Sequence, residues 1–173
     1  STFSSEEIPE FDDEEGNVSA ATDGGSTAGT SPIDINNYNN SVYTISTSGS
    51  YRFTGTGTET SNRIVIDNVT SGEVKIYLNN VNIETASGPA LQIKPNVQAQ
   101  VCIYLENENK LISKHRDSAA LQKDNNANLT IDNATNTTPG TLTAQTYFTD
   151  YRNSGWGAGI GGDHNGSCSN ITI

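Results

Sequence analysis

The chain has 173 residues, of which 32% are hydrophobic, and its formal net charge is −11. The low hydrophobic share predicts a thin apolar core covered by Asn, Thr, Ser and Gly, which form helices poorly, so it favours short strands joined by turns. Eight of the 20 acids and none of the nine bases lie in residues 1–30, which leaves a nearly neutral body without a basic face, so nucleic-acid binding is not expected. Membrane insertion is not expected either, because no run reaches the roughly 18–20 apolar residues of a membrane span.

Residues 1–32 form the first predicted segment. They are rich in acids up to Glu15 and then rich in Gly, Ser, Thr and Ala. Such a composition buries too little apolar surface to repay the entropy of ordering the chain. We therefore expect a disordered acidic linker over residues 1–32 and one domain over residues 33–173.

The predicted domain is made of short strands. From residue 33 onward, segments rich in Val, Ile, Tyr and Thr are bounded by Asn, Gly, Asp or Ser, and none repeats apolar residues at helical spacing over three turns. The predicted strands are Val42–Ser46, Tyr51–Thr54, Arg63–Asp67, Val74–Leu78, Val81–Glu84, Ala90–Lys94, Val101–Leu105, Ala119–Gln122, Leu129–Asp132, Thr141–Ala144 and Asn170–Ile173.

These strands belong to an internal repeat. VKIYLNNVNI, which begins at Val74, aligns with VCIYLENENKLI at Val101 and then with LTIDNATNTTPGTLTA at Leu129, while NITI at residues 170–173 begins another copy. A second series runs between them: SGPALQI at 87–93, DSAALQK at 117–123 and GAGIGG at 157–162. Blocks that recur in the same order predict an all-β fold, a single-stranded parallel β-helix with three short strands per coil, rather than an antiparallel sandwich. We expect this β-helix to be right-handed.

The period of two along each strand predicts which side chains face the core. Val74, Ile76 and Leu78 are expected to point inward. The equivalent inward positions in the later copies are Val101, Ile103, Leu105, Leu129, Ile131, Ile171 and Ile173.

Four blocks carry a family resemblance: TISTSGSYRFTGT at residues 44–56, EVKIYLNNVNIETASGPALQI at 73–93, VCIYLENENKLIS, and SGWGAGIGG before NITI. Together they resemble the carbohydrate-binding-domain β-helices of bacterial extracellular proteins, which are similar to pectate-lyase-like folds. The resemblance covers roughly residues 42–173. It implies a secreted or cell-surface location, a polysaccharide or cell-wall glycan as partner, and often bound Ca²⁺.

Outward positions on the central strands predict a ligand surface. Lys75 and Tyr77 are expected to stack against Cys102 and Tyr104, and these against Thr130 and Asp132. Two exposed tyrosines about 4.8 Å apart would offer a sugar ring a flat stacking surface. The alternative is a tyrosine pair that only stabilises the strand ladder. The predicted ligand-binding residues are Tyr77, Tyr104, Lys75 and Asp132.

Acids and amides at the strand ends predict where Ca²⁺ would bind, since that ion accepts carboxylate, amide and carbonyl oxygens. The run Asp124–Asn126–Asn128 copies the opening of an EF-hand loop but lacks its Gly and its Glu. The alternative is that these side chains are turn residues and Asn ladders bonded to their own backbone. The predicted metal ligands are Asp67, Asp124, Asn126, Asp132 and Asp163.

Catalysis has little support in the sequence. Asp67 and Asp132 are expected in one outward column about 14 Å apart, whereas hydrolysis by two carboxylates needs a separation of about 5–9.5 Å. We therefore expect a non-catalytic carbohydrate-binding or adhesive module. One alternative is a stalk or filament subunit that self-associates through open β-helix ends, and the other is a polysaccharide-lyase-like enzyme.

Two smaller patterns concern the cysteines and the glycines near the end of the chain. Cys102 and Cys168 are expected to be free thiols, because the predicted coils place them beyond the roughly 7 Å limit of a disulfide. Gly157, Gly159 and Gly162 match G-x-G-x-x-G, but a turn and a strand follow instead of a helix, so we expect a tight corner and no nucleotide site.

Overall fold

The computed structural model describes residues 31–135, 137–147 and 157–173, and these residues form strands and no helix. The predicted linker lies outside the described residues except for its last two positions. No helix in the described ranges has the length and apolar character needed to cross a membrane. The strands are β1 (Ile33–Asp34), β2 (Val42–Ile45), β3 (Gly49–Thr54), β4 (Arg63–Ile66), β5 (Glu73–Asn79), β6 (Asn82–Thr85), β7 (Leu91–Ile93), β8 (Gln100–Glu106), β9 (Glu108–Ser113), β10 (Leu121–Lys123), β11 (Leu129–Asn133), β12 (Thr141–Thr146), β13 (Ile160–Gly161) and β14 (Ile171–Thr172).

The strands form three parallel sheets. The six-stranded sheet has the order β1-β3-β5-β8-β11-β14, the five-stranded sheet β13-β10-β7-β4-β2, and the three-stranded sheet β12-β9-β6. From β5 onward the chain visits the six-, three- and five-stranded sheets in that order and then returns to the six-stranded sheet. The prediction of an all-β, parallel fold is confirmed, and the antiparallel sandwich is wrong.

The register of the sheets explains the sequence repeat. Val74 pairs with Val101, Val101 with Leu129, and Leu129 with Ile171, so one aliphatic column runs through the six-stranded sheet. These side chains are buried except for Ile171, which is partly buried against the core. Ile173 was expected to continue the core, but it is 84% exposed. It lies past the end of β14, where no ladder pairing is present to hold its side chain inward.

The turns use asparagine where the backbone turns left-handed. Asn80 and Asn107, which follow β5 and β8, have φ values of 54° and 57°, a region that Asn tolerates better than most residues. Asn107 Nδ2 donates to Asn79 Oδ1 at 2.9 Å, and the buried Asn109 accepts from the Val81 N–H at 3.0 Å. The corner between the six- and three-stranded sheets is therefore an asparagine ladder, as the turn interpretation of the Asn clusters predicted.

The glycines near the end of the chain permit close approach of the backbone. A Cβ on Gly157 would lie 1.9 Å from the Ser118 carbonyl oxygen, and one on Gly159 would lie 2.5 Å from that of Ala144. The prediction of a tight corner is confirmed at both positions.

Candidate functional site

The predicted ligand residues lie on the outer surface of the six-stranded sheet, where β3, β5, β8 and β11 run side by side. One column runs Arg52–Tyr77–Tyr104–Asp132 and its neighbour runs Ser50–Lys75–Cys102–Thr130. The stacking of Lys75 and Tyr77 on Cys102 and Tyr104 was predicted and is confirmed. The tyrosine face is defined here by its outward side chains, which are Arg52, Lys75, Tyr77, Cys102, Tyr104, Thr130 and Asp132.

Tyr77 and Tyr104 form a stacked pair, with ring centroids 5.1 Å apart and an interplanar angle of 27°. On the Tyr77 side opposite Tyr104, the guanidinium carbon of Arg52 lies 5.2 Å from the ring centroid. Enclosed between an arginine and a second ring, Tyr77 is only 1% exposed. The expectation of two exposed tyrosines is therefore wrong for Tyr77, whereas Tyr104 keeps part of its surface accessible.

Asp132 occupies the position beside Tyr104 on the next strand and is exposed. Its Oδ1 accepts a hydrogen bond from the Asn133 N–H at 2.7 Å. A short aspartate covers less of a neighbouring ring than a third aromatic side chain would. The accessible part of the tyrosine face therefore centres on Tyr104, with a carboxylate at its edge.

A thiol cluster borders Tyr104 along its own strand, at Cys102, two residues before it. Cys102 is buried, and its Sγ lies 3.2 Å from Glu73 Oε1 and 3.5 Å from Gln100 Nε2. Burial, followed by the nearby Glu73 carboxylate, raises the pKa of the Cys102 thiol. Burial also raises the pKa of Tyr104, and the neighbouring Cys102 adds to that effect. Both groups are therefore protonated at neutral pH, and Lys75 Nζ, 3.7 Å from Glu73 Oε2, supplies the cation of this cluster.

The five predicted metal ligands do not form one group. Asp67 lies at the end of β4 in the five-stranded sheet, whereas Asp132 lies on β11 in the six-stranded sheet, so the expectation that they share a column is wrong. Asp67 is also neutralised, because Lys94 Nζ lies 2.7 Å from Oδ2 and Asn96 donates to Oδ1. These contacts lower the pKa of Asp67, the Lys94 hydrogen bond most of all.

Asp124 and Asp163 are brought together by the turn after β13. The Asp163 N–H donates to Asp124 Oδ1 at 2.8 Å, and a Cβ on Gly166 would lie within 3.0 Å of an Oδ1 atom of each aspartate. Asn126 is nearby in sequence, but its Oδ1 accepts from Ser169 and its carbonyl from Asn170. In the part of the chain that the structure describes, no three His, Cys, Asp or Glu side chains are grouped closely enough to hold a metal ion.

Comparison with known proteins assigns the chain to a family. The family described as "Carbohydrate-binding domain-containing protein" matches residues 39–150, which is more than half of the chain. The chain belongs to this family. No curated protein and no solved structure matches it.

Membership of the carbohydrate-binding-domain family supports a carbohydrate-binding module, and the match includes most of the predicted ligand residues. The matched range contains Lys75, Tyr77, Tyr104 and Asp132, all four residues predicted from the strand pattern. Asp163 lies outside the range.

Sequence reasoning missed one residue of the tyrosine face, its ion-pair partner and one residue of the core. Arg52 was read only as part of a strand, and Glu106 only as the residue after one. Lys123 is fully buried in the five-stranded sheet, in the column of Ile45, Ile66 and Ile93. The alignment of SGPALQI with DSAALQK already placed Lys123 opposite Ile93, so the signal for an inward lysine was present in the sequence.

Cys102 and Cys168 are both free, as predicted.

Proposed function

We propose that the chain is a non-catalytic, secreted or cell-surface module that binds a polysaccharide or cell-wall glycan on the tyrosine face. Tyr104 is the centre of the proposed site, with Lys75 and Asp132 as polar contacts and Tyr77 as the support beneath the ring. Family membership supports the ligand class. Secretion and adhesion follow from the sequence resemblance and are part of the proposal.

The observation that carries the proposal is the asymmetric burial of the two stacked tyrosines. Tyr77 holds Tyr104 on one side, so the ring of Tyr104 is fixed in orientation before any ligand arrives. A preorganised aromatic ring that keeps accessible surface offers apolar contact to the CH groups of a sugar, at little further cost in side-chain entropy. Asp132 lies beside Tyr104 in the same column and Lys75 lies in the neighbouring column, and their charged groups suit hydroxyl groups at the sugar's edge.

We further infer that the three sheets wind as a right-handed parallel β-helix. The support is the repeated order in which the chain visits the six-, three- and five-stranded sheets, with parallel pairing at every step. Connections between parallel strands of one sheet are right-handed in nearly all proteins. On this view the tyrosine face is one side of a prism, and the asparagine ladder at Asn80 and Asn107 is one of its edges.

Retention of the protein on immobilised polysaccharides tests the proposed site. We expect Tyr104→Ala to lose most retention on a polysaccharide that holds the unaltered chain. Tyr147→Ala is the matched control, because Tyr147 is an exposed tyrosine after β12 in the three-stranded sheet. Equal retention of the Tyr104→Ala variant and the unaltered chain would remove the tyrosine face as the binding site.

The calcium site stays a prediction, and we propose Asp124, Asn126 and Asp163 as its ligands. Asp67 does not suit it, because Lys94 already neutralises that carboxylate. Asp132 lies on β11 of the six-stranded sheet, whereas Asp124 follows β10 of the five-stranded sheet. We expect millimolar CaCl₂ to raise the midpoint of thermal unfolding and Asp163→Asn to abolish that rise. Asp132→Asn serves as control, and a rise that is absent from the unaltered chain argues against a calcium site at this corner.

Self-association also stays a prediction, with one observation in its favour. Leu105, Ile131, Leu142, Ile160 and Ile173 contribute apolar surface to an open cavity of about 420 Å³ beside β11 and β14. Apolar surface of this kind at a sheet end favours contact with another chain. Light scattering at rising protein concentration measures it, and a strictly constant mass argues against assembly.

Lyase activity is the remaining prediction and lacks support in the geometry, because Asp67 and Asp132 lie on different sheets. A lyase would yield unsaturated products that absorb in the ultraviolet when acidic polysaccharides are incubated with the chain and Ca²⁺. The absence of such products would argue against lyase activity.

A further inference from the structure

A small polar cleft opens on the outer surface of the three-stranded sheet, around the asparagine corner from the tyrosine face. It is lined by Gly57, Asn80, Asn82, Glu108 and Lys110 and has a volume of about 140 Å³. At about 30 Å³ per water in the liquid, this is the space of roughly five waters, which suits one edge of a sugar ring. Asn82 and Lys110 are paired on β6 and β9, so both side chains leave the sheet at the same level.

The amide of Asn82 is held in one orientation. Its Nδ2 donates to the Gly57 carbonyl oxygen at 2.9 Å, and because two oxygens would repel at that distance, Oδ1 must be the atom on the other side. That Oδ1 is enclosed and has no hydrogen-bond partner in the protein. A buried acceptor left unpaired destabilises the folded chain, so the cleft favours a group that brings a hydroxyl or N–H donor.

A charged pair completes the cleft. Lys110 Nζ lies 2.9 Å from Glu108 Oε1, and this hydrogen bond raises the pKa of Lys110, so Lys110 stays protonated at neutral pH. The two charges compensate each other, which leaves little net field to attract an acidic sugar. They still offer one strong donor and one strong acceptor, as neighbouring hydroxyl groups require.

We propose that this cleft is a second glycan subsite, in which two vicinal hydroxyls of a neutral sugar donate to Asn82 and Glu108 and accept from Lys110. The proposal rests on the proposed function, since it names a second contact for the same class of ligand. Tyr104 and Lys110 are six residues apart in sequence, so their Cα atoms lie within about 22 Å of each other. A single chain of sugars is able to reach both by passing over the asparagine corner.

Nuclear magnetic resonance of the full ¹⁵N-labelled chain tests the cleft directly. The probes are methyl β-D-glucoside, methyl β-D-galactoside and methyl α-D-mannoside, each titrated to high millimolar concentration. We expect the Asn82 side-chain amide signals to shift and saturate with at least one of them. Lys110→Ala should weaken that binding by about tenfold or more, because it removes a charged hydrogen bond.

Lys94→Ala is the matched control, because Lys94 is also paired to one carboxylate and its side chain is 41% exposed, against 43% for Lys110. Lys94 directly follows β7, the central strand of the five-stranded sheet, whereas Lys110 lies on β9 of the three-stranded sheet. Equal affinities of Lys94→Ala and Lys110→Ala for the glycoside would overturn the subsite. An Asn82 signal that none of the three glycosides shifts would also overturn it, because it indicates a cleft filled by water only.

The two proposals fail in different ways. Loss of polysaccharide retention in Tyr104→Ala together with an unmoved Asn82 signal overturns the subsite and supports the tyrosine face. A saturating Asn82 shift together with full retention by Tyr104→Ala overturns the tyrosine face and supports the subsite. Saturation of the Asn82 signal in the Tyr104→Ala variant is the expected result if the two sites are separate.

Discussion

Arg52 forms an ion pair with Glu106 across an intervening strand, with Nη1 2.8 Å from Oε1. Arg52 lies on β3 and Glu106 on β8, so the arginine side chain passes over Tyr77 of β5 to reach it. The carboxylate is well enclosed, at 7% exposure, and its other oxygen accepts from Asn79 Nδ2 at 3.2 Å. One arginine thus covers the inner tyrosine and neutralises a buried acid.

Removing the arginine should destabilise the domain. We expect Arg52→Ala to lower the free energy of unfolding by roughly 3 kcal/mol, because it leaves the Glu106 carboxylate buried and unpaired. Glu106→Gln, which leaves a neutral amide, should cost less. The double variant should cost less than the two single variants added together. Urea denaturation measures all three, and strict additivity would contradict the coupling.

Replacing the two tyrosines by alanine should affect stability and polysaccharide retention to different extents. Tyr77→Ala removes a buried ring and should cost about 3–5 kcal/mol of stability. Tyr104→Ala removes a ring that is partly exposed, so it should cost less stability while losing most polysaccharide retention. Urea denaturation and retention, measured on the same preparations, separate these effects. A Tyr104→Ala variant as unstable as Tyr77→Ala would assign both rings to the ladder alone.

The strand columns could be predicted from the sequence because they depend only on local alternation and on the repeat. Val74, Val101 and Leu129 were aligned by copies 27 and 28 residues apart and Ile171 by a copy after a longer insert, and the sheets pair them in that register. The asparagine turns could also be predicted from the sequence, because Asn is one of the few residues that adopt a positive φ.

The burial of Tyr77 could not be predicted in this way. It depends on how far the Arg52 side chain reaches and on the presence of Glu106 two strands away, and a pattern of period two contains neither distance. The placement of Asp67 failed for a related reason. The strand series was aligned only from Val74 onward, so the sheet to which the earlier strand β4 belongs was not fixed by the repeat.

The two thiols should differ in reactivity. Cys102 is buried beside Glu73, which raises the pKa of its thiol, whereas Cys168 is only partly buried. Since the thiolate is the reactive form, iodoacetamide at pH 8 should modify Cys168 several-fold faster than Cys102 in the folded chain. Peptide mass spectrometry over time measures both rates. Glu73→Gln should narrow the difference, and equal rates in the folded chain would contradict the burial of Cys102.

Lys123 predicts a rise in stability at alkaline pH. Its Nζ donates to the carbonyl oxygens of Asn125 and Ser169, each at 2.7 Å, and burial lowers its pKa from the ordinary value near 10.5. Between the folded pKa and 10.5, the unfolded chain binds more protons than the folded chain, so the free energy of unfolding rises with pH in that window. Lys123→Met lacks this contribution, and the stability difference should therefore move in favour of the unaltered chain between pH 7 and pH 10. Urea denaturation at both values measures the change, with the exposed Lys94→Met as control, and a difference that stays constant with pH would show that Lys123 titrates alike in both states.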